Sequence, residues 1–117
     1  MKFLINEKQG YQYSINSGDK NKIHTDDIIG YNSFFGEKIV HGTLILQTFL
    51  KLINIKQKFR KDNKFYIGIN FLKHFSYNEK IIYKSKTNNL YQHGKITANI
   101  ELKKENIVEN FEKTNKK

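Results

Sequence analysis

A long apolar segment, from Gly42 to about Lys58, constrains the fold more than any other part of the sequence. Its apolar side chains are Leu44, Ile45, Leu46, Phe49, Leu50, Leu52, Ile53 and Ile55. On a helix they cover most of the circumference, and a helix that is apolar nearly all round is buried. The sequence therefore predicts one long helix over Gly42–Lys58, enclosed by the remainder of the chain.

The part of the chain after this helix has the pattern of β-strands. Four strands are predicted, over Phe65–His74, Lys80–Thr87, Lys95–Leu102 and Asn106–Phe111. Polar turns separate them at 76–79, 88–89 and 103–105. An antiparallel meander of this kind can wrap one helix and bury it against one face of the sheet.

The first part of the chain is predicted to add two short strands and a short helix. Segments 2–6 and 11–15 alternate weakly, as strands do, and a turn signal follows at 16–19. Residues 25–27 can cap a helix over Asp27–Tyr31, with acidic side chains at its positive end. The expected fold is a single α+β domain over 1–117, with an antiparallel sheet of five or six strands wrapped around one long central helix.

Length and composition exclude several classes of protein. A chain of 117 residues is the size of one domain. No stretch reaches the ~20 continuous apolar residues of a membrane span, and the apolar run after Met1 is too short for a signal peptide. Without cysteine the chain has no disulfide, thiol nucleophile or thiolate metal site. The expected location is the cytoplasm.

The net charge of +10 suggests nucleic acid as a partner, but the distribution of the charge argues against it. Arg60 is the only arginine among 21 basic residues, although arginine is the preferred residue for bidentate contacts with phosphates and bases. The lysines are also spread along the whole chain. We therefore expect a solvated, lysine-rich surface and no nucleic-acid partner, although such a field can attract an anionic substrate.

A carboxylate, an amide and an imidazole stand within six positions: Asp19, Asn21 and His24. Gly42 stands where the predicted helix begins, so its N–H has no carbonyl partner within the helix. A base, a second proton carrier and an oxyanion donor are what acid–base chemistry beside a carbonyl requires. The combination predicts an enzyme.

No metal site is predicted. The four histidines are scattered without the spacing of metal ligands, and His74 and His93 are interpreted as isolated surface or strand residues. Asp26 and Asp27 are interpreted as helix caps rather than ligands.

Two segments resemble a known family. The run Ser17–His24 resembles the signature S-G-D-x-N-P-x-H of the MaoC-like, (R)-specific enoyl-CoA hydratases, with Ile23 as its aliphatic position and Lys22 in place of the proline. Phe35–Gly42 resembles the F-x-x-x-I-V-H-G that follows it in that family. The resemblance implies the hot-dog fold, in which an antiparallel sheet wraps a central helix, and it implies a homodimer.

The resemblance also implies roles for individual residues. Asp19 and His24 would hold and activate the water that adds to an α,β-unsaturated thioester, with Asn21 assisting in the same loop. The Gly42 N–H would receive the thioester oxygen. Substrate-binding roles are predicted for the residues around the second motif: Phe35, Ile39, Val40 and His41. For His41 a structural role is the favoured alternative.

The implied function is that of a hydro-lyase on acyl thioesters, which adds water to a 2-enoyl group or removes it from a 3-hydroxyacyl group. The carrier would be coenzyme A or an acyl-carrier protein, and no further cofactor is expected. Hot-dog dehydratases and thioesterases with a catalytic carboxylate on the central helix are disfavoured, because Gly42–Lys58 contains no Asp or Glu. Two alternatives stay open: a non-catalytic module that binds acyl thioesters, and a small basic nucleic-acid binder.

Overall fold

The computed structural model describes residues 1–53 and 64–105. In chain order the elements are β1 (Lys2–Phe3), α1 (Glu7–Ser17), a 3₁₀ turn (Lys22–His24), α2 (Asp27–Tyr31), α3 (Gly42–Ile53), β2 (Lys64–Phe71), β3 (Ile81–Lys84), β4 (Asn89–Gln92) and β5 (Lys95–Glu105). The strands form one five-stranded sheet in the order β1-β3-β4-β5-β2, with every pair antiparallel. The α+β class and the antiparallel sheet predicted from the sequence are confirmed.

Two hairpins, β3–β4 and β4–β5, and two further pairings, β1 with β3 and β2 with β5, build the sheet. Strands β4 and β5 are joined by His93 and Gly94, whose φ angles of 55° and 72° are both positive. Such a two-residue loop matches the right-handed twist of a hairpin. Strands β2 and β5 then pair over eight positions, from Lys64 opposite Glu105 to Phe71 opposite Ala98. The predicted strand Lys80–Thr87 ends earlier, at Lys84, and β4 was not predicted at all.

The core lies between α3 and one face of the sheet. Ile45 and Phe49 supply the buried side of α3, and the ring of Phe49 packs edge-on against Tyr83 at 4.7 Å between centroids. The other buried apolar residues are Ile5, Val40, Phe75, Tyr77, Ile81, Leu90, Ala98 and Ile100. The helix predicted from the apolar run is therefore the helix that the sheet covers.

The expectation that α3 is buried all round is wrong for the single chain. Only Ile45 and Phe49 of this helix are fully buried, and the side chain of Leu52 is 49% exposed. The sheet reaches one side of the helix, which leaves the other side accessible. The predicted extension to Lys58, and the predicted strand Asn106–Phe111, lie outside the described residues.

The predicted strand over 11–15 is wrong, because this segment belongs to helix α1. The side chains of Asn6 and Gln9 form a capping box at the start of α1, which satisfies two backbone N–H groups. The helix packs through its small residues, since a Cβ atom on Gly10 would lie 2.1 Å from the hydroxyl of Tyr77. Tyr11 is 58% exposed and Tyr13 is half-buried, so their alternation did not reflect a strand with one buried face.

Helix α2 begins as predicted. The carboxylate of Asp26 accepts hydrogen bonds from the N–H groups of Ile28 and Ile29, each at 3.0 Å. Asp27 instead pairs with Lys38 at 2.8 Å, and Lys38 also pairs with Glu7 at 2.8 Å. The lysine thereby ties the first turns of α1 and α2 to the segment that leads into α3.

No helix in the described ranges combines the length and apolarity that crossing a bilayer requires.

Candidate active site

The loop that carries Asp19 begins at the end of α1. Gly18 closes this helix with a φ of 79°, a left-handed conformation that glycine adopts without steric cost. The hydroxyl of Ser14, which is buried, donates to the carbonyl of Asp19 at 2.8 Å. The backbone at Asp19 is thus fixed to the helix, while its carboxylate is exposed to solvent.

Asn21 organises the 3₁₀ turn that follows. Its side-chain oxygen accepts from the N–H of Ile23 at 3.1 Å, and its own N–H donates to the carboxylate of Asp19 at 3.3 Å. The turn ends at His24. Asn21 therefore braces the loop between Asp19 and His24, and its side chain does not line the cavity described below.

The ring of His24 is oriented by a backbone carbonyl. Its Nδ1 lies 2.8 Å from the carbonyl oxygen of Ile39. A carbonyl can only accept, so Nδ1 carries the proton, and in the neutral ring Nε2 then keeps its lone pair. The hydroxyl of Tyr77 donates to the carbonyl of His24 at 2.9 Å, and the N–H of Ile39 donates to Ile23. His24 is therefore presented with a basic nitrogen available for water or substrate.

His41 lies against the face of His24. The two imidazoles stack with centroids 3.8 Å apart and planes 23° apart, and His41 is only 1% exposed. Its Nε2 lies 3.4 Å from the Asp19 carbonyl, and its Nδ1 has no hydrogen-bond partner within the described part of the chain. Burial lowers the pKa of His41, the neighbouring His24 lowers it further, and Asp19 opposes both effects. His41 is thus held in its neutral form.

Gly42 begins α3 directly after His41. Its N–H donates no hydrogen bond to any residue in 1–53 or 64–105. An added Cβ would lie 2.8 Å from the ring of Phe71, so this ring covers the glycine closely. The start of the helix therefore offers a free donor at the positive end of the helix dipole, as the sequence predicted.

A cavity of about 340 Å³ joins these elements. Its wall is formed by His24, Phe35, Ile39, Val40, Gly42, Phe71, Leu72, Lys73, His74 and Phe75. The structure therefore brings together five of the residues predicted from the sequence, at positions 24, 35, 39, 40 and 42. The prediction that His41 contacts substrate is not supported by its position, because His41 lies beneath His24 and outside this wall.

Half of the wall was not anticipated from the sequence. Residues 71–75 come from the end of β2 and the segment after it, and their placement depends on the pairing of β2 with β5. His74, which was interpreted as isolated, lies in this wall with its Nε2 3.0 Å from the carboxylate of Glu37. Its ring centroid lies 5.0 Å from that of Phe35. No local motif marks these contacts.

Asp19, His24 and His41 approach closely enough to raise the question of a metal ion, since one ligand atom of each lies within 4.8 Å of the others. The geometry of the rings does not suit this role. An ion lies near the plane of each imidazole that binds it, whereas stacked rings have nearly parallel planes that do not converge at a nearby point. The absence of a metal stays a prediction, and no step below uses one.

No protein-family model matches the sequence, and no curated protein matches it significantly. Solved structures do match. The (R)-hydratase from A. caviae involved in PHA biosynthesis aligns with a TM-score of 0.69 at 14% identity, over 90% of each chain.

Two further structures agree with this result. The unliganded R-hydratase PhaJ1 from Pseudomonas aeruginosa aligns with a TM-score of 0.62 at 18% identity, over 89% of this chain and 76% of that one. The MaoC-like dehydratase from Rhodospirillum rubrum aligns with a TM-score of 0.67 at 9% identity, over 89% of this chain and 85% of that one. At these identities the likeness concerns the fold. The resemblance seen in the two motifs is thereby confirmed at the level of architecture, and the chain has the hot-dog fold of the MaoC-like hydratases and dehydratases.

Proposed function

We propose that the protein is a hydro-lyase that acts on acyl thioesters, adding water to a 2-enoyl group or removing it from a 3-hydroxyacyl group. The observation that carries the proposal is the approach of the Asp19 carboxylate to within 4.8 Å of the His24 imidazole, which lines the same cavity as Gly42 with its free N–H. The solved structures of hydratases and a dehydratase with the same fold support this class of reaction.

The proposed chemistry assigns one task to each group. Water is held between the Asp19 carboxylate and Nε2 of His24, and Asp19 takes a proton from it as the general base. The water oxygen bonds to C3 of the enoyl group, and the C2–C3 double bond shifts its electrons toward the thioester carbonyl. The Gly42 N–H stabilises the oxygen that becomes negative. Protonated Asp19, with His24 sharing the transfer, then gives a proton to C2, and the electrons held on the thioester oxygen return to form the C2–H bond and restore the carbonyl. The reverse sequence removes water.

Two features of the cavity suit such a substrate. Its wall is largely apolar, as an acyl chain requires, and it includes both the imidazole of His24 and the backbone of Gly42. The reaction needs no redox cofactor, because the thioester itself acidifies the C2–H bond. The carrier can be coenzyme A or an acyl-carrier protein, both of which present an anionic phosphate that a basic protein attracts.

The proposal is tested by following the absorbance of the conjugated enoyl thioester across a panel of chain lengths, on coenzyme A and on an acyl-carrier protein. We expect the absorbance to fall with at least one substrate and to rise again when the corresponding 3-hydroxyacyl thioester is supplied. Calorimetry on the same samples distinguishes the alternative of a binding module. Thioester binding without any change in absorbance would establish that alternative and exclude the hydratase.

We further propose that the protein forms a homodimer. Strand β2 lies at one end of the sheet, and across its eight residues no strand among the described elements pairs with its outer side. An open edge of this length is a template for pairing with another chain. On this strand the side chain of Tyr66 is 58% exposed. A second copy that pairs its own β2 in the same way would close both sheets with twofold symmetry.

Light scattering at micromolar concentration should therefore give twice the 13.9 kDa mass of one chain. Tyr66→Glu places a charge on the proposed interface and is expected to shift the mass toward the monomer. Tyr11→Glu is the matched control, because Tyr11 has the same 58% exposure but lies on α1. A monomeric wild-type protein would contradict the dimer, and equal masses for the two variants would contradict the location at β2.

A further inference from the structure

We propose that His41 is a positioning residue, which holds the imidazole of His24 in its reactive orientation by stacking on the face of the ring. The inference rests on the proposed function and adds a residue to it, since His41 reaches neither the cavity nor the substrate. The sequence analysis had considered His41 as a substrate contact or as a plain structural residue. The structure points to a third role.

A single hydrogen bond does not fix the orientation of His24. The bond from Nδ1 to the carbonyl of Ile39 fixes which nitrogen is protonated. Rotation about the last side-chain torsion of a histidine is soft, so the ring could still tilt away from the Ile39 carbonyl and weaken that bond. The face of His41, 3.8 Å away and nearly parallel, blocks this tilt on one side. The stack therefore supplies the restraint that the hydrogen bond lacks.

His41 is itself held rigidly. It is fully buried, and the ring of Tyr13 packs edge-on against it with centroids 4.9 Å apart. Its carbonyl accepts the N–H of Ile45 at 3.2 Å, which is the first hydrogen bond of α3. A buried ring fixed by its backbone to a helix is a firm surface for another ring to rest on.

The position of His41 in the chain gives the stack its significance. The base and the oxyanion donor come from separate segments, His24 from the 3₁₀ turn and Gly42 from the start of α3. His41 immediately precedes Gly42 and touches His24. His41 therefore fixes the position of the Nε2 lone pair of His24 relative to the Gly42 N–H. Catalysis depends on such relative positions within fractions of an ångström.

The charge state of His41 is compatible with this role. Three groups with titratable or polar atoms face its ring: His24 from the 3₁₀ turn, Asp19 from the loop, and Tyr13 from α1. Two positively charged imidazoles stacked at 3.8 Å would repel each other. Because burial keeps His41 neutral, His24 can accept a proton during turnover without that repulsion.

The first test measures His24 directly and needs no activity. Nitrogen NMR of the neutral ring reports which nitrogen carries the proton. Wild type should show the proton on Nδ1, as the bond to Ile39 requires. In His41→Leu, which fills the site without offering a flat ring, we expect the His24 ring to tilt away from the Ile39 carbonyl, which weakens this bond and lets the proton distribute between both nitrogens. His93→Asn is the control, because His93 is exposed and outside the cavity wall, and asparagine tolerates its positive φ.

The second test separates stacking from other contributions of His41. His41→Phe keeps an aromatic face and loses both nitrogens, whereas His41→Gln keeps a donor for the Asp19 carbonyl and loses the face. We expect Gln and Leu to lower kcat by about 10- to 100-fold with little change in KM. We expect the His41→Phe variant to keep most of the wild-type kcat. Its pH–rate profile should match that of wild type, because His41 is neutral in the wild-type protein.

The outcomes are decisive even if one variant does not fold. The stacking role would be overturned if His41→Gln kept the wild-type kcat while His41→Phe had a lowered kcat. That result would assign the effect to the hydrogen bond with Asp19. An unchanged His24 proton position in Leu or Gln would overturn it as well. If wild type does not hydrate any enoyl thioester, the proposed function fails, and the NMR comparison still decides whether His41 orients His24.

Discussion

Asp19→Asn is expected to lower kcat for hydration by about 10²- to 10⁴-fold, the usual contribution of a general base. The amide cannot accept the proton of the attacking water, while its size and its oxygen acceptor are preserved. The Asp19 carboxylate is exposed, and its one hydrogen bond within the described residues comes from the Asn21 N–H at 3.3 Å. An amide oxygen can accept the same bond, so the loop and the fold should persist.

The measurement is initial hydration rate together with thermal unfolding of the same sample. Asp26→Asn is the matched control, because Asp26 is the N-cap of α2 and asparagine caps helices equally well. We expect Asp26→Asn to retain both the wild-type rate and the wild-type Tm. An Asp19→Asn protein that hydrates within a few-fold of wild type at an unchanged Tm would remove Asp19 from the mechanism.

Local patterns in the sequence predicted those parts of the fold that local forces determine. The apolar run after Gly42 identified the central helix, because burial of such a run dominates its free energy. The cap at Asp26 likewise placed the start of α2 at the correct residue. Both predictions depend on interactions within a few residues, which a single sequence records.

The errors arose where distant contacts decide the structure. Segment 11–15 alternates like a strand, yet it forms part of a helix that rests its small side chains on Tyr77, far along the chain. Strand β4 was missed although a turn was predicted at 88–89 and Gly94 lies in the hairpin loop after it. With only four residues, Asn89–Gln92, the strand is too short to show a clear alternating pattern.

The candidate site also contains residues that local motifs identified and residues that only distant contacts bring together. The motif residues His24 and Gly42 were identified from their spacing, and the structure places both at one cavity. The opposite wall, residues 71–75, depends on the register between β2 and β5, which no short pattern encodes. The stack of His41 on His24 also joins two segments that are remote in sequence, so a histidine next to the motif glycine could not be assigned its contact beforehand.

Gly42→Val is expected to lower kcat by about 10²- to 10³-fold, as the loss of one oxyanion-hole donor does. The thioester oxygen has to approach the Gly42 N–H closely as it gains negative charge, and a branched side chain at this position occupies that approach. The fold should survive the change. The Cβ atom would meet the ring of Phe71 at 2.8 Å, but that ring is half-exposed and can move outward.

The displaced ring of Phe71 is a competing cause of any loss, and a double-mutant cycle separates the two. Phe71→Ala removes the ring, so a valine at position 42 meets nothing from it. If the valine acts by crowding the thioester oxygen, Gly42→Val is expected to lower kcat by the same factor in the wild-type protein and in the Phe71→Ala variant. If it acts only by pushing the ring, the double variant should recover the rate of Phe71→Ala alone. Thermal unfolding is measured on all four proteins, because an unfolded Gly42→Val or a near wild-type rate would each leave the oxyanion role of Gly42 without support.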